Sequence, residues 1–293
     1  MSDFNKAVQF VHDTLKQHDT AGRKPRASRA ALEKLVASRP APATKTPPHQ
    51  PATNPPATMP RTDRPVSTKP ITAPKPAPRA ASAPTGDKAA RFAAMRARVI
   101  VCEKCPHLVK SRTQVVFGVG NIDAELMFVG EAPGADEDLQ GEPFVGKAGQ
   151  LLTKIIEAMG FTRGDIYIGN VLKCRPDMPG GESGNRKPTT SEMETCLPYL
   201  REQIDLIQPR VLVALGATAM QGLLNETAPM ASLRGRWHEF QGIPLMATYH
   251  PAYLLRNQSM SEKRKVWEDM LQVLERLGKP ISAKQRNFFL QKA

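Results

Sequence analysis

Between residues 125 and 278, short apolar runs alternate with longer amphipathic segments, and this alternation limits the fold more than any other feature. The apolar runs that end in turns or polar loops are predicted to be buried strands: 125–130, 166–174, 211–216 and 244–250. The segments with apolar residues at helical spacing are predicted to be helices: 148–160, 190–207, 217–224 and 262–278. Strands that alternate with helices imply an α/β fold, whose mainly parallel sheet carries helices on both faces.

The first 90 residues differ in composition from the rest of the chain. Of the 27 prolines, 14 lie between Arg39 and Ala90, where large apolar residues are almost absent. Such a segment cannot bury enough surface to offset its ordering entropy, so 37–90 is predicted to be a disordered Pro- and Ala-rich linker. Residues 1–36 carry apolar side chains at roughly helical spacing, which predicts one or two short helices. We expect the folded domain at 91–280 and a C-terminal tail at 281–293.

The charge of the chain is also uneven. Its 293 residues have a formal net charge of +13, and the first 90 hold 15 Lys and Arg against 6 Asp and Glu. A basic protein favours a polyanionic partner such as nucleic acid, although charge alone raises that expectation only modestly. No apolar run is long enough to span a membrane, and no signal peptide is recognisable. We expect a cytoplasmic monomer whose N-terminal region binds DNA or a protein partner.

Acidic residues cluster directly after the first predicted strand, in GEAPGADED at 130–138. In a mainly parallel sheet the loops after the carboxyl ends of the strands carry the site. Glu131 in this loop, Asn170 near the end of the second strand and His250 after the last strand are therefore expected at one edge of the sheet. Asp136 and Asp138 are interpreted as solvated turn residues or helix-start residues.

The four cysteines of the chain suggest a second site. They are Cys102 and Cys105 in CEKC, Cys174, and Cys196. Structural disulfides are disfavoured because the cytosol keeps thiols reduced, whereas four thiolates brought together by folding suit a structural zinc or an iron–sulfur cluster. Zinc ribbons usually keep their two pairs closer than the 68 residues between Cys105 and Cys174, which favours the cluster. Buried cysteines without a ligand are the remaining alternative.

Several motifs in fixed order carry a resemblance to a known family. The block GEAPGADEDLQGEPFVGKAGQLL, then YIGNVLKCRP, a loop ending GNRKP, and HPAYLLR, framed by the cysteines, resembles the family 4 uracil-DNA glycosylases, the iron–sulfur branch of that superfamily. The resemblance runs from about Arg91 to Leu277. It implies a three-layer α/β/α sandwich, uracil-containing DNA as substrate, and hydrolysis of the bond between uracil and deoxyribose to leave an abasic site in base excision repair.

The resemblance also assigns a role to each residue of the base-binding site. Phe144 matches the aromatic residue on which the base stacks, and Asn170 matches the amide that bonds the base edge and rejects cytosine. Glu137 matches the position that crowds the uracil C5 edge and so refuses the methyl group of thymine. For the cysteines, the resemblance implies a structural [4Fe-4S] cluster, with zinc as the less favoured metal, held by the set Cys102, Cys105, Cys174 and Cys196.

Three further residues match the catalytic positions of the family. His250 matches the donor to the uracil oxygen, where negative charge develops as the glycosidic bond breaks. Glu131 matches the acidic residue beside the reacting centre, which orients or deprotonates water and stabilises the cationic sugar. Asn185 matches a position that assists catalysis, although the PDMPGGESG stretch before it is longer than is common in the family.

Candidate contacts to DNA come from the basic and apolar residues near these motifs, and a solvated surface charge is the alternative interpretation of each basic residue. The basic residues expected to contact DNA are Lys147, Lys173, Arg175, Arg186 and Arg256, and the candidates for a wedge that fills the space of the flipped base are Tyr253, Leu254 and Leu255. Two alternatives stay open: a zinc-stabilised nucleic-acid binder, and a uracil-DNA-binding protein of the same fold that does not turn over or that traps DNA covalently. Trapping is disfavoured because TYHPAYLLR contains no inserted basic loop with an extra histidine.

Overall fold

The structure, a computed structural model, describes residues 85–176, 178 and 184–290. The predictions for residues 1–36 and for most of the predicted linker lie outside these residues. Residues 85–90, predicted as the end of the linker, instead open the helix α1, Thr85–Ile100. Alanines favour the helix, and Met95 and Val99, one turn apart, are both buried on its inner face. The helix therefore begins before the predicted domain boundary.

A sheet of six strands forms the centre of the described part of the chain. In chain order the strands are β1 Val119–Gly120, β2 Leu126–Gly130, β3 Tyr167–Asn170, β4 Val211–Leu215, β5 Trp237–Phe240 and β6 Ile243–Thr248. Their spatial order is β1-β3-β2-β4-β6-β5, with the four inner strands parallel and both edge strands antiparallel. The predicted mainly parallel sheet is confirmed, and its inner strands all end at the same edge.

Helices cover both faces of this sheet. After α1 they are, in order, α2 Pro106–Ser111, α3 Ala135–Gln140, α4 Lys147–Ala158, α5 Thr190–Ile207, α6 Ala217–Leu224, α7 Met230–Leu233, α8 Pro251–Arg256, α9 Met260–Leu277 and α10 Ala283–Arg286. Because side chains alternate along a strand, Met127 packs with the apolar residues of α5 and α6, whereas its neighbour Phe128 packs with those of α4 and α9. The three-layer α/β/α architecture is thereby confirmed.

The predicted strand 166–174 ends earlier than expected, at Asn170. Beyond it, the Val171 N–H still donates to the Gly130 carbonyl and the Leu172 N–H to the Glu131 carbonyl, each at 3.0 Å, but the chain bends away from the ladder. Cys174 therefore lies in a buried loop past the strand, and not at its end. The apolar run resembled one long strand because the loop after the strand is buried as well.

The segment predicted as a C-terminal tail packs on the domain, at least up to residue 290. The Trp267 Nε1–H donates to the Gln285 carbonyl at 2.6 Å, and the ring of Phe288 lies 5.2 Å from that of Trp267. The Gln285 amide also reaches back to the Ala158 carbonyl at the end of α4, at 2.9 Å. Within the described residues, none of the helices has the length and apolar character needed to cross a membrane.

Candidate active site

Asn170 and Phe144 converge on Gly130, the last residue of β2. A Cβ atom at Gly130 would overlap the Asn170 Oδ1 atom and would lie 2.6 Å from the Phe144 Cζ atom, so only glycine fits between them. Asn170 is 2% exposed, and its Oδ1 atom has no hydrogen-bond partner among the described residues. A buried acceptor without a partner costs about 1–3 kcal/mol. This oxygen is therefore a place where a ligand that carries an N–H group would bind.

His250 lies beside the Phe144 ring, with 5.5 Å between the ring centroids. It is the N-cap residue of α8, and its Nδ1 atom accepts the Ala252 N–H at 3.1 Å. In the neutral ring the proton is then on Nε2, which is left as a donor. Burial, reinforced by the positive charge of Arg256, lowers the pKa of His250 to about 4. The imidazole is therefore neutral and able to donate a hydrogen bond at physiological pH.

The three residues predicted to be catalytic, Glu131, Asn185 and His250, line one cavity of about 280 Å³. The other residues that line it are Ala132, Pro133, Gly134, Arg186, Ala252 and Arg256. Phe144 and Asn170 are not among the lining residues, but Phe144 lies beside His250, and both residues contact Gly130, which directly precedes Glu131. A carboxylate, an amide, a neutral imidazole and two guanidinium groups thus surround a space next to an aromatic ring.

Glu137 ties two loops of the site together. One carboxylate oxygen accepts the Gly134 N–H at 3.0 Å, and the other accepts the N–H groups of Val145 and Gly146 at 3.0 and 3.1 Å. Its neighbour Asp138 is buried and accepts the Thr113 N–H with both oxygens. Of the two interpretations of Asp138, a helix-start residue is confirmed, since it lies in the first turn of α3, whereas a solvated residue was wrong, because its buried carboxylate holds the segment after α2 against α3.

The loop that carries Asn185 is held by Glu192, which lies in the first turn of α5. Arg186 donates to both Glu192 oxygens, at 2.7 and 2.9 Å, and the Thr189 N–H donates at 2.7 Å in a capping box. Burial alone would raise the pKa of Glu192, but hydrogen bonds from Arg186, the Thr189 N–H and His107 outweigh it and lower the pKa to about 2. Asn185, which is exposed, therefore directly precedes a segment that is anchored by an ionised carboxylate.

The four cysteines lie near one another, on the α1 and α5 side of the domain. Cys174 and Cys196 belong to one buried cluster, and Cys105 packs against it. Three donors point at sulfur atoms: Arg112 Nη1 to Cys174 at 3.0 Å, the Lys173 N–H to Cys196 at 3.2 Å, and the Tyr199 hydroxyl to Cys102 at 3.4 Å. Burial raises the pKa of the Cys196 thiol to about 12 and also raises those of Cys105 and Cys174.

These four thiols suit a metal by their chemistry and by the donors around them. Hydrogen bonds to sulfur are the contacts that support a thiolate ligand in iron–sulfur and zinc sites. The described residues contain no group of three or more His, Cys, Asp or Glu side chains already arranged to hold a metal ion. The cysteines thus fit a metal or an iron–sulfur cluster by their thiol chemistry and by the donors to their sulfur atoms, and not by a preformed arrangement.

Two predictions about DNA contacts change in the light of the structure. Lys173 is 1% exposed, and its ammonium group donates to the Asn170 carbonyl at 3.0 Å and to Gln203 Oε1 at 2.5 Å. The prediction that Lys173 contacts DNA was wrong. Among the wedge candidates, Leu254 is buried, Tyr253 stacks on Tyr249 with 4.4 Å between the ring centroids, and Leu255 is 39% exposed. Leu255 is therefore the candidate that faces solvent.

A known protein family matches the part of the chain that contains this site. The family described as the uracil DNA glycosylase superfamily matches residues 117–271, more than half of the chain. The chain belongs to the uracil-DNA glycosylase superfamily. The matched residues include the strand ends and loops that hold Glu131, Phe144, Asn170 and His250. The predicted resemblance is confirmed.

Three relatives in the glycosylase superfamily are type-4 uracil-DNA glycosylases. The enzyme of Thermotoga maritima is 45% identical over 176 residues, which cover 59% of this chain and 88% of the relative. That of Archaeoglobus fulgidus is 44% identical over 173 residues (56% and 83%), and that of Pyrobaculum aerophilum is 43% identical over 167 residues (54% and 82%). Each of the three matches therefore spans more than half of this chain and more than four fifths of the relative.

Two residues of this glycosylase-superfamily site were missed by the reading of the sequence. Arg163, in the turn after α4, donates to the carbonyl groups of Pro143 and Phe144. Glu192 anchors the Asn185 loop, and the capping-box spacing from Thr189 to Glu192 is a signal in the sequence that indicated a helix start there. No comparable signal marks Arg163, because an isolated Arg after a helix looks like a solvated charge.

Proposed function

We propose that the protein excises uracil from DNA by hydrolysing the N-glycosidic bond, which leaves an abasic site for base excision repair. The observation that carries the proposal is the unpaired Asn170 Oδ1 atom, which is buried beside the Phe144 ring and near the His250 imidazole. Uracil offers a flat ring for stacking and an imide N–H for such an acceptor. The names of the type-4 relatives support the same reaction.

The base must leave the DNA stack to enter this site, and three residues would receive it. Phe144 provides a ring for stacking. Asn170 offers its oxygen to the imide N–H, and cytosine, which has a bare ring nitrogen there, would leave the oxygen unpaired. Glu137 contributes through the loops that it ties together, which bound the C5 edge and exclude the methyl group of thymine. An exposed Leu255 would fill the gap left in the stack.

Bond cleavage sends the bonding electrons to the base and leaves positive charge on the sugar. His250 would donate its Nε2–H as a hydrogen bond to the uracil oxygen that becomes negative, while its Nδ1 atom accepts the Ala252 N–H. Glu131 lines the same cavity and would orient or deprotonate the attacking water and stabilise the cationic sugar. Asn185 would help to place that water. Water supplies the hydroxyl group to the sugar, and the released base takes up a proton.

The cysteines would hold a [4Fe-4S] cluster with a structural role, bound by the set Cys102, Cys105, Cys174 and Cys196. When bound, such a cluster supplies cross-links between the segments that carry these residues. Arg112, Tyr199 and the Lys173 N–H already donate to three of the sulfur atoms. Protein purified without added metal should be brown and absorb in the visible region. Colourless protein that contains stoichiometric zinc would establish zinc instead.

We propose that the basic N-terminal region also contributes to DNA binding. Its excess of Lys and Arg would add nonspecific affinity for the DNA backbone, and such affinity decreases steeply with salt. Removal of residues 1–84 should therefore make binding to DNA less sensitive to salt. An unchanged salt dependence would assign this region to a protein partner instead. We also propose that the enzyme acts as a monomer in the cytoplasm.

One experiment tests the proposed reaction directly. The purified protein is incubated with an end-labelled duplex that contains a single uracil, and abasic sites are then cleaved with alkali. We expect a break at the uracil position and none in a control duplex with thymine or cytosine there. Intact strands under every condition would reject the proposal, and a protein–DNA adduct on a denaturing gel would establish covalent trapping.

A further inference from the structure

Phe144 adopts an unusual backbone conformation for a large side chain. Its φ angle is 56°, in the left-handed region that glycine normally occupies. A non-glycine residue held there costs about 1 kcal/mol or more and persists only where its surroundings fix it. The backbone at the proposed stacking ring is therefore held in place by other parts of the molecule.

Glycine contributes the first of these restraints. Gly149 lies in the first turn of α4, and a Cβ atom at that position would overlap the Phe144 carbonyl group and would lie 2.7 Å from its Cα atom. The backbone of Phe144 thus rests directly on the helix. This contact limits movement of Phe144 toward the helix and leaves movement along the other directions open.

Two side chains of opposite charge hold the segment 143–146. Glu137 accepts the N–H groups of Val145 and Gly146, as described above. Arg163 donates from Nη2 to the Pro143 carbonyl at 2.9 Å and from Nη1 to the Phe144 carbonyl at 3.2 Å. An anion thus binds the N–H groups of the loop and a cation binds its C=O groups.

The position of Arg163 is itself fixed by the fold. It lies in the turn between α4 and β3, where the Asp165 carboxylate accepts from both the N–H and the hydroxyl group of Thr162 at 2.7 Å. The Nη1 atom of Arg163 also lies 3.4 Å from the Thr153 hydroxyl on α4. The side chain is partly buried, and desolvation by this burial lowers its pKa. A planar guanidinium group can reach two neighbouring carbonyl oxygens at once, which an ammonium group does less well.

We propose that Arg163 is a positioning residue that sets the plane of the Phe144 ring and thereby contributes to the selection of the base. This inference rests on the proposed uracil excision and adds a determinant of its specificity. Glu137 joins the Phe144 loop to Gly134. If the carbonyl groups of Pro143 and Phe144 shifted, the loop that is proposed to bound the C5 edge of the base would therefore move as well. His250 is held separately by the start of α8 and should keep its place.

Loss of Arg163 should therefore change base binding more than the chemical step. Two variants test this: Arg163→Met, which removes the donors, and Arg163→Lys, which keeps the charge but not the fork. The matched control is Arg210→Met, since Arg210 also donates to a backbone carbonyl, that of Leu277, but at the other end of β4. Steady-state kinetics are measured on DNA that contains uracil or 5-hydroxymethyluracil, together with the thermal midpoint of each protein.

For Arg163→Met we expect KM for uracil-containing DNA to rise about tenfold, as for the loss of charge-assisted hydrogen bonds, with a smaller change in kcat. The preference for uracil over 5-hydroxymethyluracil should fall by a similar factor. Arg163→Lys should give an intermediate result, and Arg210→Met should leave both quantities unchanged. If Arg163→Met does not fold, the same measurements on Arg163→Lys decide the matter.

The inference is overturned if the Arg163 variants keep the wild-type KM and base preference. It is also overturned if kcat and the thermal midpoint fall while the base preference stays the same, because that pattern indicates a structural role only. Absence of excision by the wild-type protein would be a different result. It would reject the proposed function itself, whatever the variants do.

Discussion

Two regions of the domain contain buried ionisable side chains: the proposed base pocket, formed around Phe144, Asn170 and His250, and the cysteine group. Burial has opposite functional consequences in the two regions. In the pocket it lowers the pKa of His250 to about 4 and so keeps the imidazole neutral, with Nδ1 accepting the Ala252 N–H and Nε2 left as a donor. Around the cysteines it raises the pKa of Cys196 to about 12 and so favours the thiol, which is not the form that binds a metal. The pocket is therefore ready for its ligand, whereas the cysteines need theirs to become thiolates.

The two regions also differ in the groups that their hydrogen bonds join. In the pocket, Glu137 and Arg163 bind backbone groups of the loops, and His250 caps a helix. The sulfur atoms of Cys102, Cys174 and Cys196 each receive one hydrogen bond from a different segment. Segments that are joined by so few hydrogen bonds are stabilised most when one ligand binds all of them. The comparison predicts that changes in the cysteine group act on stability and that changes in the pocket act on rate.

The largest expected effect is that of Cys196→Ser. The variant should lose the visible absorption of the proposed cluster, and its thermal midpoint should fall by about 10 °C or more. The reason is that the free energy of metal binding is part of the free energy of folding. A loss of 1 kcal/mol lowers the midpoint of a domain of this size by about 2–4 °C. Absorption spectra and thermal unfolding check this. Thr195→Ser, on the exposed face of the same helix, serves as the control. A stable, fully active and colourless variant would contradict a structural cluster.

His250→Ala should have the next largest effect, on rate instead of stability. Removal of one preorganised donor to a developing negative charge typically reduces the rate by about 100- to 1000-fold. Single-turnover excision from a uracil duplex measures this. The matched control is His238→Ala, since His238 interacts with the Leu233 carbonyl and does not line the cavity. Equal rates for His250→Ala and the wild type would remove His250 from the mechanism.

Lys173 connects the two regions, and its replacement tests how separate they are. Its ammonium group binds the Asn170 carbonyl, and its backbone N–H binds the Cys196 sulfur. Lys173→Met leaves the Asn170 carbonyl and the Gln203 oxygen without this donor, so we expect discrimination between uracil and cytosine to fall by about tenfold. The exposed Lys154→Met is the control. Unaltered discrimination would show that the base pocket does not depend on this buried link.

The smallest expected effect concerns pH. Since the pKa of His250 is lower in the folded protein, about 4, than the ordinary value near 6.5, its neutral form contributes stability above pH 6.5 that is lost as pH falls toward 4. We expect less than about 1 kcal/mol per pH unit, because the ring is partly exposed. Denaturant unfolding at several pH values measures this slope. In His250→Gln the corresponding part of the slope should be absent, and an identical slope would contradict the lowered pKa.

Most of the fold could be predicted from the sequence because its pattern is strong. Predicted helix 190–207 agrees with α5, and the four parallel strands were recognised from their buried apolar runs. The antiparallel edge strands β1 and β5 were missed, since they have two and four residues and are only partly buried. The strand at 166–174 was drawn too long because the loop after Asn170 is as apolar as the strand itself.

The site was predictable to a smaller extent. Parallel strands bring their ends together, so Glu131, Asn170 and His250 could be expected at one edge from their positions alone. The surroundings of the charged residues could not be predicted from the sequence. Asp138 and Lys173 are of residue types that usually lie at the surface, but both are buried and bind specific backbone groups. Arg163 reaches the carbonyl groups of the Phe144 loop only because the fold brings the turn after α4 next to that loop. Such contacts depend on tertiary packing, which no local pattern encodes.

The most direct test of the account is the release of free base from a duplex with one labelled uracil, followed over time with the wild-type protein in excess. We predict that labelled uracil appears in solution at the same rate as abasic sites, with one uracil released for each abasic site formed. Tight binding of the duplex with no free uracil released would contradict it, and the protein would then recognise uracil without cleaving its bond to the sugar.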